Sequence, residues 1–209
     1  MRRGHRPAAP GGAWKWLWIL AALLVGVAEA ASTNRPFVST TNYTVTNLVG
    51  WTVRVNRELL TTKSELGTTA LAVLADHLRR ITNVVPAQAC AKLQRVPIWL
   101  GLDDGHAPCA EYHPSRDWLA ENGYNPDKAR CVEIGNAQRF IDWPPKQPMM
   151  ILHELAHAYH DQVLGFGNER IRAAYEHARK SGRYEAVPRN NGHTERAYAM
   201  EDDHEYFAE

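Results

Sequence analysis

The sequence predicts an α+β fold: a small mixed sheet packed on one apolar helix, with a second helix from the end of the chain meeting it. Three features carry this expectation. Short strand-like runs occur at Trp51-Thr52-Val53-Arg54-Val55, Val96-Pro97-Ile98-Trp99-Leu100 and Cys131-Val132-Glu133-Ile134. Leu71, Leu74, Leu78 and Ile81 recur at helical spacing and mark a helix from about Ser64 to Thr82. The stretch from Pro148 to Gly165 is apolar around most of its circumference, yet carries His153, Glu154 and His157.

The chain has 209 residues, of which 22% are charged and 44% hydrophobic, without repeats or low-complexity tracts, which excludes a disordered or fibrous protein. Residues 1–30 stand apart. Arg2, Arg3, Arg6 and Lys15 precede an apolar run from Trp16 to Val27, and Ala28-Glu29-Ala30 has small residues at both specificity positions of a cleavage site. This reads as a secretory signal peptide cut after Ala30, giving a secreted or periplasmic protein; an uncleaved anchor is the alternative, disfavoured because the run is short for a bilayer. Removing it takes away four basic residues and one acidic one, leaving 20 against 22. No basic stripe recommends nucleic acid as a partner, and no stable membrane span is expected after cleavage. Cys90, Cys109 and Cys131 lack the paired spacing of a zinc knuckle and read as structural; one disulfide with one thiol left over is compatible with them.

Residues 31–48, rich in Ser, Thr and Asn, read as an extended lead-in, and 49–209 as one domain. Asn42-Tyr43-Thr44 fits a glycosylation acceptor in a host that glycosylates. After the helix ending near Thr82, on which His77 reads as a surface or rim histidine, a short helical piece spans about Pro86 to Leu93. The stretch from Asp103 to Pro126 is dense in turn signals and reads as a surface excursion with one short helix near Ser115 to Glu121. His106 and His113 on it are weak candidates for metal ligation. Trp143-Pro144-Pro145 closes off the third strand. A helix from Asn168 to Ser181 follows Gly165, then a loop or hairpin over 182–197, then a last helix opened by Asp202 and Asp203. The sequence stops inside that helix, so the domain is expected to be truncated at its C-terminus.

His153 and His157 are four apart, so both imidazoles lie on one face of a helix and can reach one ion, with Glu154 near it but free of it. That is the HExxH arrangement of zinc hydrolases, in which the glutamate takes a proton from a metal-bound water. A polar triad on a helix buried nearly all round needs a reason, and a Zn2+ ion supplies one. Tetrahedral catalytic zinc takes three protein ligands and a water. His160 follows His157 too closely on the same helix, which leaves Glu205 on the last helix. Glu209, one turn on, lies on the same face and is placed to accept the outer N–H of a liganding histidine.

His153-Glu154-Leu155-Ala156-His157, followed about fifty residues later by Tyr198 and by Glu205-Tyr206-Phe207-Ala208-Glu209, resembles the gluzincin metallopeptidases, in particular the catalytic domain of anthrax lethal factor and its secreted bacterial relatives. The resemblance is specific over Ile151 to Glu209. It implies a zincin-like fold, with His153, His157 and Glu205 as metal ligands, Glu154 as general base and Tyr198 as oxyanion stabiliser or proton donor. It implies a secreted zinc-dependent metallopeptidase that hydrolyses peptide bonds of a peptide or protein substrate. A peptide is expected to lie along an edge strand, placed at Val132 to Ile134. A zinc-stabilised binding module without turnover and a zinc amidase acting on cell-wall peptides are the competing readings. None of the toxin's receptor-docking domains is present.

Overall fold

The computed structural model describes residues 37–106, 109–143, 147–189 and 192–209. The leader read over 1–30, the first residues of the lead-in, and Pro144 and Pro145 lie outside the described residues. The fold is mixed α+β. Strands β1 (Tyr43–Leu48), β2 (Trp51–Asn56), β3 (Ile98–Leu100), β4 (Ala110–Tyr112) and β5 (Val132–Ile134) form one sheet in the order β1-β2-β3-β5-β4. The three central strands run parallel, and the two outer ones antiparallel to their neighbours.

The last third of the lead-in, Tyr43–Leu48, is therefore a sheet strand. β1 and β2 meet through Val49 and Gly50, both at positive φ (53° and 90°), as a two-residue type I′ hairpin turn requires. Parallel neighbours need crossovers, and these carry helices. Between β2 and β3 run α1 (Ser64–Val84) and α2 (Ala87–Leu93); between β3 and β5 lie β4 and α3 (Arg116–Glu121). Then come α4 (Ala137–Asp142), α5 (Met150–Tyr159), α6 (Glu169–Ser181), a two-stranded hairpin of β6 (Val187–Pro188) and β7 (Thr194–Glu195), and α7 (Asp203–Ala208). All described residues belong to one compact unit, Asn34–Glu209.

Alternation along the strands divides the sheet into two unlike faces. One carries Val53, Val55, Ile98, Leu100, Tyr112, Val132 and Ile134, and packs on Leu74, Leu78 and Ile81 of α1, Phe140 of α4 and Ile151 and Leu155 of α5. α1 comes close at Gly67, where a Cβ would stand 1.8 Å from the Leu59 carbonyl oxygen. His77, expected at the surface, is buried on this helix against the Phe140 ring, because the short helix α4 covers it. The other face carries Trp99, Glu133, Glu111 and, from β1, Tyr43; Trp99 and Tyr43 cluster with Cys131, and Val38 packs against them. Cys90, Cys109 and Cys131 are all buried free thiols, so the disulfide that the sequence leaves open does not form. Among the described residues no helix is long and apolar enough to cross a membrane.

The strand order moves the sheet edge. β5, Val132 to Ile134, lies between β3 and β4, and the edge beside α5 belongs to β4, in the middle of what reads as a surface excursion. Three residues are too few for alternation to show, and two of the side chains that follow one face, Glu111 and His113, are polar.

Candidate metal centre

α5 is buried along Met150, Ile151, Leu155 and Ala158, which seats it against the sheet and turns His153 and His157 toward α7. α7 is started by Asp202, whose carboxylate accepts from the N–H groups of His204 and Glu205, each at 2.9 Å. That cap fixes Glu205 in the first turn, with Glu209 one turn later.

The two elements bring three ligand atoms together. His153 Nε2 and His157 Nε2 stand 3.1 Å apart, and Glu205 Oε2 lies 3.1 Å from the first and 3.4 Å from the second. Atoms bound at about 2.0–2.1 Å to one tetrahedral ion are separated by roughly 3.3 Å, so this triangle has the dimensions of a shared coordination sphere. Its polar groups are poorly satisfied without a cation. Glu205 Oε2 is buried, and no donor among the described residues is aligned on it; two facing imidazole nitrogens share at most one proton. Burial pushes the Glu205 carboxyl up, but the two imidazoles outweigh it and hold the group down at about 2. Burial would lower His153, yet Glu205, Glu154 and Glu209 raise it above its usual value. Glu209 Oε1 lies 3.6 Å from His153 Nδ1, on the side of the ring away from the triangle. These donors, two imidazoles and one carboxylate, suit Zn2+ with one position open.

Glu154 lies beside the triangle. Its Oε2 accepts from the backbone N–H of Tyr112 at 2.8 Å. Desolvation raises its carboxyl above the ordinary carboxylate range, partly offset by His157, His153 and that N–H. Tyr198 starts a one-turn 3-10 helix, Tyr198–Met200, with its ring centroid 6.2 Å from that of His153. Burial and the Glu205 charge raise its phenol far above the usual value, so it stays a donor. A cleft of about 840 Å³ opens beside Tyr198 and Glu209, walled by Ile171, Ala174, Val187 and Tyr206.

Some residues around the centre escape a reading of the sequence. The Tyr112 hydroxyl donates to Asp161 Oδ2 at 2.6 Å and accepts from Gln162 Nε2 at 3.0 Å. Both partners sit in a π-turn, His160–Leu164, that continues α5 to Gly165. His160 points the other way, fully buried among Phe166, His204 and Phe207, and takes no part in the triangle. Behind the sheet, His113 Nε2 lies 2.7 Å from Glu133 and 3.4 Å from Glu111. Glu111, His113 and Glu133 are also a ligand-like group. There, however, the buried Lys128 ammonium already pairs with Glu133 and Asp104 and supplies the positive charge. His106 packs on the Tyr124 ring, which His113 also meets, and is a member of neither group.

Comparison of the chain with protein-family models, with curated proteins and with solved structures returns no match.

Proposed function

We propose that this chain is a zincin-like, zinc-dependent metallopeptidase of the gluzincin type, acting on peptide or protein substrates outside the cytoplasm. The observation that carries the reading is the triangle of His153 Nε2, His157 Nε2 and Glu205 Oε2, with sides of 3.1 to 3.4 Å and a buried carboxylate oxygen on which no donor among the described residues is aligned. Zinc held there would supply Lewis acidity and lower the pKa of a coordinated water.

The chain's own residues account for the remaining steps. Glu154, with its carboxyl raised by desolvation, takes the proton from the attacking water and returns it to the leaving amine. Tyr198, a neutral phenol, donates to the oxyanion that develops on the scissile carbonyl. Glu209 orients His153 through its outer nitrogen. An extended peptide has a place at the outer edge of β4. Cys109 and His113 turn backbone groups to β5, so by alternation Ala110 and Tyr112 turn theirs outward; the Tyr112 N–H is taken by Glu154, which leaves the Ala110 groups and the Tyr112 carbonyl for the peptide. The cleft next to Tyr198 gives room for a bulky apolar side chain of that peptide.

The roles of Glu154 and Tyr198 favour hydrolysis over a binding module, which would need neither. Metal analysis and peptide-library cleavage test the reading together. Wild type is expected to hold one zinc per chain and to lose cleavage with a chelator, and Glu154→Gln is expected to keep the zinc and lose turnover. A Glu154→Gln protein that cleaves as well as wild type would sink the proposal.

A further inference from the structure

Tyr112 touches the metal helix at two points. Its backbone N–H donates to Glu154 Oε2 at 2.8 Å, and its hydroxyl donates to Asp161 Oδ2 at 2.6 Å. Residues seven apart on a helix fall on nearly the same face, about 10 Å along the axis. One tyrosine therefore spans two turns of the helix that carries His153 and His157. The π-turn adds a third contact. Its wider winding shifts the helical phase, so that Gln162 as well as Asp161 reaches the same hydroxyl, and Gln162 also donates to the Arg130 carbonyl at 3.0 Å. Arg130 itself stands at φ 61°, a left-handed conformation held by its N–H bond to the His113 carbonyl. The hydroxyl is thus fixed between two strand-flanking loops and the end of the helix.

We infer that Tyr112 is a positioning residue for Glu154, and that the π-turn residues Asp161 and Gln162 lock it by holding its hydroxyl. The inference rests on the reading of Glu154 as general base. β4 is an edge strand of three residues, held on one side by β5 alone. Beyond the packing of the Tyr112 ring against α5, the hydrogen bonds that tie the strand's outer side to the helix among the described residues are the hydroxyl contacts and the bond to Glu154, so loss of the former loosens the latter. With them, the N–H stays aimed at the carboxylate through the turnover cycle. A displacement of about an ångström at a proton-transferring group is enough to cost up to a hundredfold in rate.

The experiment uses the zinc-loaded chain and a peptide that wild type cleaves. Tyr112→Phe keeps the ring and the N–H and removes the hydroxyl. It is expected to lower kcat about tenfold or more, with KM within about twofold and zinc content unchanged. Asp161→Ala should reproduce the loss, and Asp161→Asn, which retains an acceptor for the phenol, should restore most of it. Amide exchange of Tyr112 gives a readout that needs no substrate. The amide should be protected in wild type, strongly deprotected in Glu154→Ala, and deprotected at least tenfold in Tyr112→Phe. Wild-type exchange and kcat in Tyr112→Phe, or a loss expressed in KM alone, would overturn the inference. If wild type cleaves no peptide, the peptidase reading fails, and amide exchange still decides whether the hydroxyl locks the Glu154 contact.

Discussion

Tyr198 and Glu205 show how one buried neighbourhood gives two oxygen acids opposite states. The carboxyl is held at about 2 because two imidazoles face it, while burial and that same carboxylate keep the phenol protonated. Tyr198 is thus a donor over the whole working range. Tyr198→Phe is expected to reduce kcat by about a hundredfold with zinc retained, read by steady-state kinetics beside metal analysis. At this scale the sequence was most legible. His153, Glu154 and His157 share one helical turn, and Glu205 and Glu209 lie one turn apart, so local geometry alone predicts which side chains share a face. Tyr112 was hidden because its contact with Glu154 uses a backbone N–H, which every residue but proline carries.

Elements were legible where caps and apolar periodicity agreed. Asn168 and Asp202 both cap as their residue types suggest. β1 was hidden because its one large apolar mid-strand residue, Val45, is exposed among threonine and asparagine, so no apolar alternation shows, and because its turn places valine, not asparagine, at positive φ. β4 and α4 were hidden because three and six residues hold too little pattern to read. The π-turn closing α5 makes a pH-dependent demand. His160 is fully buried, and burial, followed by the neighbouring His204, lowers its pKa below the ordinary 6.5. The folded chain then keeps it neutral while the unfolded chain takes a proton, so its share of stability is intact above pH 6.5 and lost as pH falls through the folded value. His160→Phe is expected to flatten that acid-side loss in urea melts at stepped pH. Gly67→Ala should be costly at any pH, since a Cβ 1.8 Å from a backbone oxygen forces α1 away from Leu59.

For the whole molecule, the sheet separates two polar systems by one layer of strands. On the α5 side the triangle has carboxylate and imidazole groups, with no Lys or Arg ion pair to Glu205 among the described residues. On the far side Asp104, Glu133, Glu111 and His113 surround Lys128, and Tyr43 Oη donates to Asp104 at 2.6 Å. Lys128→Met removes the ammonium from between two buried carboxylates, leaving Asp104 with the Tyr43 hydroxyl and Glu133 with His113, and is expected to destabilise the fold by about 3–5 kcal/mol in denaturant titration. Composition could not reveal this network, since charged residues read as surface until their partners are known. The triangle links α5 to α7, which also packs through His204 and Phe207 on His160 and lies near a small cluster of Ala178, Ala199 and Met200. A chelator should lower the melting temperature, and zinc restored at a thousandfold its dissociation constant should return about 4 kcal/mol.

The three sulfhydryls inside the domain have a practical consequence. Burial pushes Cys109 up to about 12, with the Glu154 charge adding to it, and burial raises Cys131 as well. A nucleophilic thiolate therefore hardly exists at these two sites while the chain is folded, even in an oxidising compartment. Iodoacetamide should mark them only when the molecule opens, so that the pace of alkylation at neutral pH becomes a clock for unfolding, readable by mass without any probe being engineered in.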